Sequence, residues 1–259
     1  MKTDGTFGSS ASASLFASAP IAAREPARRA PRKAARRTGR ERDAEGGGLL
    51  VALDSDGTVF DSMTPKHELC FAPAFAERFG RGASREAMLE VWRFVNLGSK
   101  MRGTNRYKAL AAALRLAARR PSLAAALRRE ERLSRELEAW LAAEPSPSLA
   151  RLELALARRV VGSSLRRVLE WSRAVDESIA AMPKPRPFAG AAAALPAMAA
   201  AADILVISAA PVATLAREWE GAGLGAYALE IAGQEKGSKS ASLAAAMSGR
   251  YEPGDVLVV

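Results

Sequence analysis

The chain has 259 residues, 49% hydrophobic and 6% aromatic, with a formal net charge of +10 and a pI near 10.3. That length holds one large domain or two small ones, and no apolar run reaches the ~18–20 residues of a membrane span. One cysteine, Cys70, excludes an internal disulfide and suits a reducing compartment, so a cytoplasmic location is expected.

The charge is unevenly placed. Residues 1–48 carry ten Lys/Arg against five Asp/Glu, and their only large apolar residues are Phe7, Leu15, Phe16 and Ile21. Such a segment buries too little surface to offset its ordering entropy and reads as a disordered basic tail. A signal peptide fits poorly, because Ser9–Ala23 lacks a sustained apolar core and the positive charges follow it. A transit peptide and an over-extended translation start both stay open. Nucleic acid is expected only as a non-specific, salt-sensitive partner of this tail.

Leu49–Leu53 is an unbroken apolar run, as expected of a strand buried on both faces of a parallel sheet. It ends in Asp54-Ser55-Asp56-Gly57-Thr58, two carboxylates at the strand's carboxyl end, where open α/β sheets keep their chemistry. Gly57 lets the backbone turn and the Thr58 hydroxyl can tie that turn. Helical patterns follow at Met63–Phe79, Arg85–Asn96, Tyr107–Arg119, Ser122–Ala143, Ser148–Val161 and Ser164–Met182, broken by prolines and glycines. Gly98–Arg106 is a basic loop offering Lys100, Arg102 and Arg106. The three prolines of Pro183–Pro187 cannot continue a helix and form a connector. Alternation then resumes: a helix over Phe188–Ala202, a strand Ile204–Ile207 ending at Ser208, a helix Pro211–Gly221 and a short strand Tyr227–Ile231. A helix Lys239–Met247 and an apolar run Val256–Val259 complete it. The expected fold is α/β, a Rossmann-like parallel sheet core (residues 49–62 and 186–259) with an inserted all-helical cap subdomain (residues 63–185).

Leu49–Ser62, LLVALDSDGTVFDS, resembles the first motif of the haloacid dehalogenase-like (HAD) hydrolase superfamily. Ser208 after its strand and Lys239 in GQEKGSK resemble the second and third motifs, and the helices between stand where that family carries a cap. The resemblance implies Asp54 as nucleophile and Asp56 as general acid/base. It implies Ser208 as the hydroxyl that binds the phosphoryl group, and Lys239 as the lysine that offsets the charge. Lys236 is a rival for that last role. Asp61 and Ser62 match the tail of the first motif.

The resemblance further implies Mg²⁺, held by Asp54 and the backbone carbonyl of Asp56. Dehalogenase members lack an acid at the Asp56 position, so the implied reaction is phosphoester cleavage of a small phosphorylated metabolite through an aspartyl-phosphate. Thr58, Lys100, Arg102 and Arg106 are the expected substrate contacts. One departure stands out: the family's fourth motif, acids following the next strand, is not reached after Asp255–Val259, where the sequence ends. The expectation is therefore divided between an enzyme represented by a fragment and a catalytically impaired relative that binds a phosphorylated ligand or partner without turnover.

Overall fold

The computed structural model describes residues 48–259. The tail expected at residues 1–48 lies, but for Gly48, outside the described residues.

β1 (Leu49–Leu53) leads through the Asp54–Gly57 turn into a long helical stretch. This comprises α1 (Met63–Lys66), a π-helical turn His67–Phe71 and α2 (Ala72–Phe79). α3 (Arg85–Leu97) starts at Ser84, whose Oγ accepts the Ala87 N–H, as an N-cap should. α4 (Arg106–Arg119), α5 (Pro121–Leu127), α6 (Glu131–Ala143), α7 (Leu149–Ala157) and α8 (Arg166–Ala181) complete the helical region. The chain then forms α9 (Ala189–Ala201), β2 (Ala202–Ile207), α10 (Val212–Gly221), β3 (Glu230–Ala232), α11 (Lys239–Met247) and β4 (Val256–Val258).

The four strands are all parallel, in the order β3-β2-β1-β4, with Leu49 opposite Ala202 and Leu50 opposite Val256. β1 is buried on both faces because its side chains alternate between two cores. Val51 and Leu53 pack with Ile204, Val206, Leu195, Leu215 and Trp219 under α9 and α10. Leu50 and Ala52 pack with Leu205, Ile207 and Ala232, and with Leu243 and Met247 of α11. The cap has its own core around Trp92, Trp171, Phe75, Phe79 and Tyr107, all fully buried.

Three expected elements differ. The helix expected over Ser122–Ala143 is interrupted by a 3₁₀ turn at Arg128–Glu130, where the fully buried Glu130 meets Arg167 of α8 at 2.7 Å. The helix expected over Ser148–Val161 stops at Ala157, because Arg159 takes a left-handed conformation (φ 55°) and Val160 N–H turns back to the Ala155 carbonyl. The strand expected over Tyr227–Ile231 begins later, since Gly225–Tyr227 closes a 3₁₀ turn and pairing with β2 starts as Leu229 N–H reaches the Ile204 carbonyl.

The two linkers between sheet and cap run side by side. Phe60 bridges Pro187 in antiparallel fashion, Asp61 N–H donates to the Arg186 carbonyl, and Phe188 N–H donates to the Val59 carbonyl. The proline-rich connector thus forms one rail of a paired crossing.

Candidate active site

The first carboxylate is set by the sheet. Asp54 N–H donates to the Val259 carbonyl at 3.0 Å, which holds the residue in line with β1 just past its end. Its Oδ1 accepts the Ser55 N–H at 2.8 Å and its Oδ2 lies 2.6 Å from Lys239 Nζ. Lys239 is the first residue of α11, where the helix dipole disfavours a cation, and the Asp54 contact supplies what offsets that placement. Lys236, its rival, pairs instead with Glu230.

The second carboxylate is set by the turn. The Ser55 carbonyl accepts N–H groups from Thr58, Val59 and Phe60, Gly57 sits at φ +81°, and Trp219 Nε1 donates to the buried Ser55 hydroxyl at 3.1 Å. Backbone groups therefore close the turn where the Thr58 hydroxyl was expected to. Asp56 Oδ1 accepts from Ser62 Oγ and from Lys66 Nζ, the latter at 2.6 Å. Lys66 is buried and also lies 2.8 Å from Glu218 Oε1 on α10. Burial raises the Glu218 pKa above the usual carboxylate value, and Lys66 opposes that rise.

Asp54, Asp56 and Ser208 face one cavity of about 70 Å³ between sheet and cap. Ser208 stands at the end of β2, its Oγ accepting the Ala210 N–H at 3.2 Å. The cap contributes Lys66, His67, Phe71, Asn96, Thr104 and Arg106 to the walls. Arg106 is buried and already engaged, donating to Asp176 Oδ1 at 2.7 Å and Ser172 Oγ at 3.2 Å, with its guanidinium 5.2 Å from the Phe71 ring centre. Arg102 is exposed but reaches the Asp-x-Asp-Gly turn: its Nη2 lies 3.3 Å from where a side chain on Gly57 would begin. Thr58 and the exposed Lys100 are not among the lining residues. A larger cavity of about 380 Å³ lies on the other side of Lys66 and Glu218, against both linkers.

Lys66, His67, Asn96 and Glu218 stand at the site without having been expected there from the sequence. Asn96 carried a readable signal: it falls on the apolar stripe of α3 with Val91, Trp92 and Val95. His67 accepts a hydrogen bond from Trp92 Nε1 at 3.0 Å, and burial lowers its pKa to about 4. Asp56 pulls the other way, while Lys66, Arg102 and Arg106 add to the depression.

The likeness is to HAD-superfamily hydrolases. A predicted phosphoglycolate phosphatase from Haemophilus somnus is 13% identical, with 82% of this chain and 76% of that one covered and a TM-score of 0.45. A haloacid dehalogenase-like hydrolase from Xanthomonas campestris is 15% identical over 82% and 74%, at a TM-score of 0.37. The L-2-haloacid dehalogenase of Xanthobacter autotrophicus is 19% identical over 82% and 69%, at a TM-score of 0.36. No protein-family model matches the chain, and no curated protein matches it.

The magnesium that the sequence motifs imply sets a requirement on the donors at this site. Mg²⁺ requires near-octahedral oxygen coordination and usually takes one or two carboxylates together with water and substrate oxygens. Asp54 has one oxygen on Lys239, Asp56 has one on Lys66 and Ser62, and no cluster of three or more His, Cys, Asp or Glu suited to a metal occurs among the described residues. Two carboxylates, each already shared with a lysine, make at most a weak and incomplete magnesium site among the described residues.

Proposed function

We propose that this chain is a hydrolase of phosphate esters that acts through Asp54. The observation carrying the proposal is the pair of carboxylates, two residues apart at the end of a central parallel strand, each held by a lysine from a different element. The similar structures include both a predicted phosphatase and a dehalogenase, so they do not choose between chemistries. Asp56 supports phosphate esters, because a second acid serves a leaving alkoxide and has no use against a halide.

In the proposed reaction one oxygen of Asp54 attacks phosphorus, an Asp54–phosphorus bond forms and the bond to the ester oxygen breaks. Asp56 enters the step as the neutral acid, and the leaving oxygen takes the proton carried on its Oδ2, the oxygen that Ser62 and Lys66 do not engage. A water then attacks phosphorus, gives its proton back to Asp56 and releases orthophosphate, regenerating Asp54. Lys239 and the Ser208 hydroxyl offset charge on the transferring oxygens. Lys66 and Ser62 hold the Asp56 carboxylate in one orientation.

A second reading, ligand binding without turnover, is favoured by the donor set that does not complete a magnesium site. One experiment separates the two. The 259-residue chain is incubated with aryl and small alkyl phosphate esters, with and without Mg²⁺, beside Asp54→Asn and Asp56→Asn. The hydrolytic reading expects phosphate release that Asp54→Asn abolishes and Asp56→Asn slows by ~10²–10⁴-fold. Binding of the esters without release supports the second reading, and undiminished release by Asp54→Asn refutes the first.

A further inference from the structure

His67 is the chain's single histidine, and it stands where the helix leaving the catalytic turn widens into a π-turn, a distortion frequent at functional sites. Its ring lines the cavity that Asp54 and Asp56 face. The ring is immobilised: it stacks on Phe71 with centres 4.8 Å apart, and its Nδ1 lies 3.0 Å from Trp92 Nε1. Trp92 is itself fixed, fully buried and packed against Phe71, Phe75 and Trp171.

That indole contact determines the protonation state of the imidazole. An indole N–H can only donate, so Nδ1 has to offer a lone pair. An imidazolium carries hydrogen on both nitrogens and cannot accept, so the ring is neutral. A neutral imidazole with a bare Nδ1 holds its proton on Nε2. The charged groups facing the ring are Asp56, which favours a second proton, and Lys66, Arg102 and Arg106, which oppose one, and burial is the largest influence of all, towards the neutral ring. Among the described residues no acceptor meets Nε2. Nδ1, the nitrogen facing the cap core, is occupied, and Nε2 is the one left on a ring that lines the cavity.

We infer that His67 is a specificity residue, a neutral Nε2–H donor that the cap presents to an oxygen acceptor on the leaving group of the substrate. The inference rests on the phosphate-ester reading and narrows it to esters whose leaving group bears a hydroxyl, carbonyl or carboxylate oxygen. One neighbour fits such a group: Asn96, whose Nδ2 is spent on the Trp92 carbonyl at 3.0 Å, keeps its own side-chain oxygen for a hydroxyl hydrogen.

The single histidine makes the test direct. The full chain, carrying an affinity tag without histidine and ¹⁵N-labelled, gives one set of imidazole signals in a two-bond proton–nitrogen correlation spectrum. The expected pattern is a protonated Nε2 and a bare Nδ1, unchanged between pH 5 and 8. A ring that titrates in that range, or carries its proton on Nδ1, overturns the inference. Orthophosphate, ethyl phosphate and 2-hydroxyethyl phosphate are then added in turn. The Nε2–H signal should move with the hydroxyl-bearing ester and stay with the other two; equal movement with all three, or none with any, overturns the inference.

A kinetic arm uses His67→Phe, which removes the donor, and His67→Gln, which keeps one. The preference for 2-hydroxyethyl over ethyl phosphate in kcat/KM should fall by about ten-fold, the effect of one hydrogen bond, in His67→Phe. It should be largely kept in His67→Gln. An unchanged preference in His67→Phe overturns the inference. Failure of the phosphate-ester reading is separately visible, as phosphate release that survives Asp54→Asn while the ring still shows the expected tautomer.

Discussion

Lys66→Met is the sharpest test of how the site is held. The ammonium lies 2.6 Å from Asp56 Oδ1 and 2.8 Å from Glu218 Oε1, and its side chain is only 8% exposed. Removing it leaves Glu218, at 4% exposure, facing an apolar methionine with no counter-charge. Breaking a buried ion pair from one side typically costs about 3–5 kcal/mol. For a folded region of this size each kcal/mol moves the midpoint by ~2–4 °C, so the unfolding temperature should fall by roughly 6–20 °C. The double variant Lys66→Met/Glu218→Leu should recover most of that loss, since apolar replacement of a whole buried pair is often neutral.

Acid should also soften the single variant. Burial already raises the Glu218 pKa, and without Lys66 only the weaker field of Arg217 opposes it. A carboxyl whose folded pKa is raised contributes stability below its unfolded value, near 4.5, and loses it as pH rises through the folded value. Lys66→Met should therefore sit closer to wild type at pH 5 than at pH 8. Thermal and denaturant unfolding of the three proteins at both pH values decides it. A single variant within ~2 °C of wild type, or a double variant less stable than the single, refutes the buried-triad account.

The remaining predictions concern the proton, the metal and the cap. His67 is held near 4 against an ordinary 6.5, so its contribution, about 3 kcal/mol, is full above pH 6.5 and is lost as pH falls toward 4. Denaturant unfolding of His67→Gln should show a flatter stability curve across that window; an identical acid slope would contradict the buried neutral ring. Calorimetric titration of Mg²⁺ into the 259-residue chain should give weak binding, abolished in Asp54→Asn, and tight binding would mean the ligands lie elsewhere. Arg167→Ala, which leaves Glu130 buried without its partner, should cost at least about 1–3 kcal/mol by denaturant unfolding, and Glu130→Gln in the same background should restore part of it.

What the sequence made legible was local. β1 with its two carboxylates, β2 with Ser208, and Lys239 at the start of a helix each declare themselves within a window of ten residues, because strand burial, turn chemistry and helix capping are short-range effects. Helix position is what favours Lys239 over Lys236 in the sequence, and in the structure Lys239 Nζ lies 2.6 Å from Asp54 Oδ2. What stayed hidden was long-range. Glu218 reads as a polar position on an amphipathic helix until α10 is packed against a lysine 152 residues earlier. Arg106 reads as a free cation on a basic loop, yet Asp176 and Ser172, from a helix far along the chain, claim it. Glu130 reads as one charge among many in a helical run, yet it lies buried at the 3₁₀ turn that interrupts the run, paired with the half-buried Arg167 from a helix far along the chain.

The paired linkers bear on how this chain reaches its fold. β1 finds its neighbour β2 only when Ala202 joins Leu49, and the strands between which it lies are both made after the whole cap. At synthesis rates of ~5–20 residues per second, an apolar strand waits roughly 8–30 s for its first partner. Closing so long a loop from a random chain is entropically costly and slow. A helical cap, rich in near-neighbour contacts, condenses early and changes that arithmetic. Its two ends emerge side by side at Phe60 and Pro187, so a folded cap delivers β2 to the edge of β1 already in parallel alignment. The insertion that covers the site is then also the clamp that makes its sheet assemble in time.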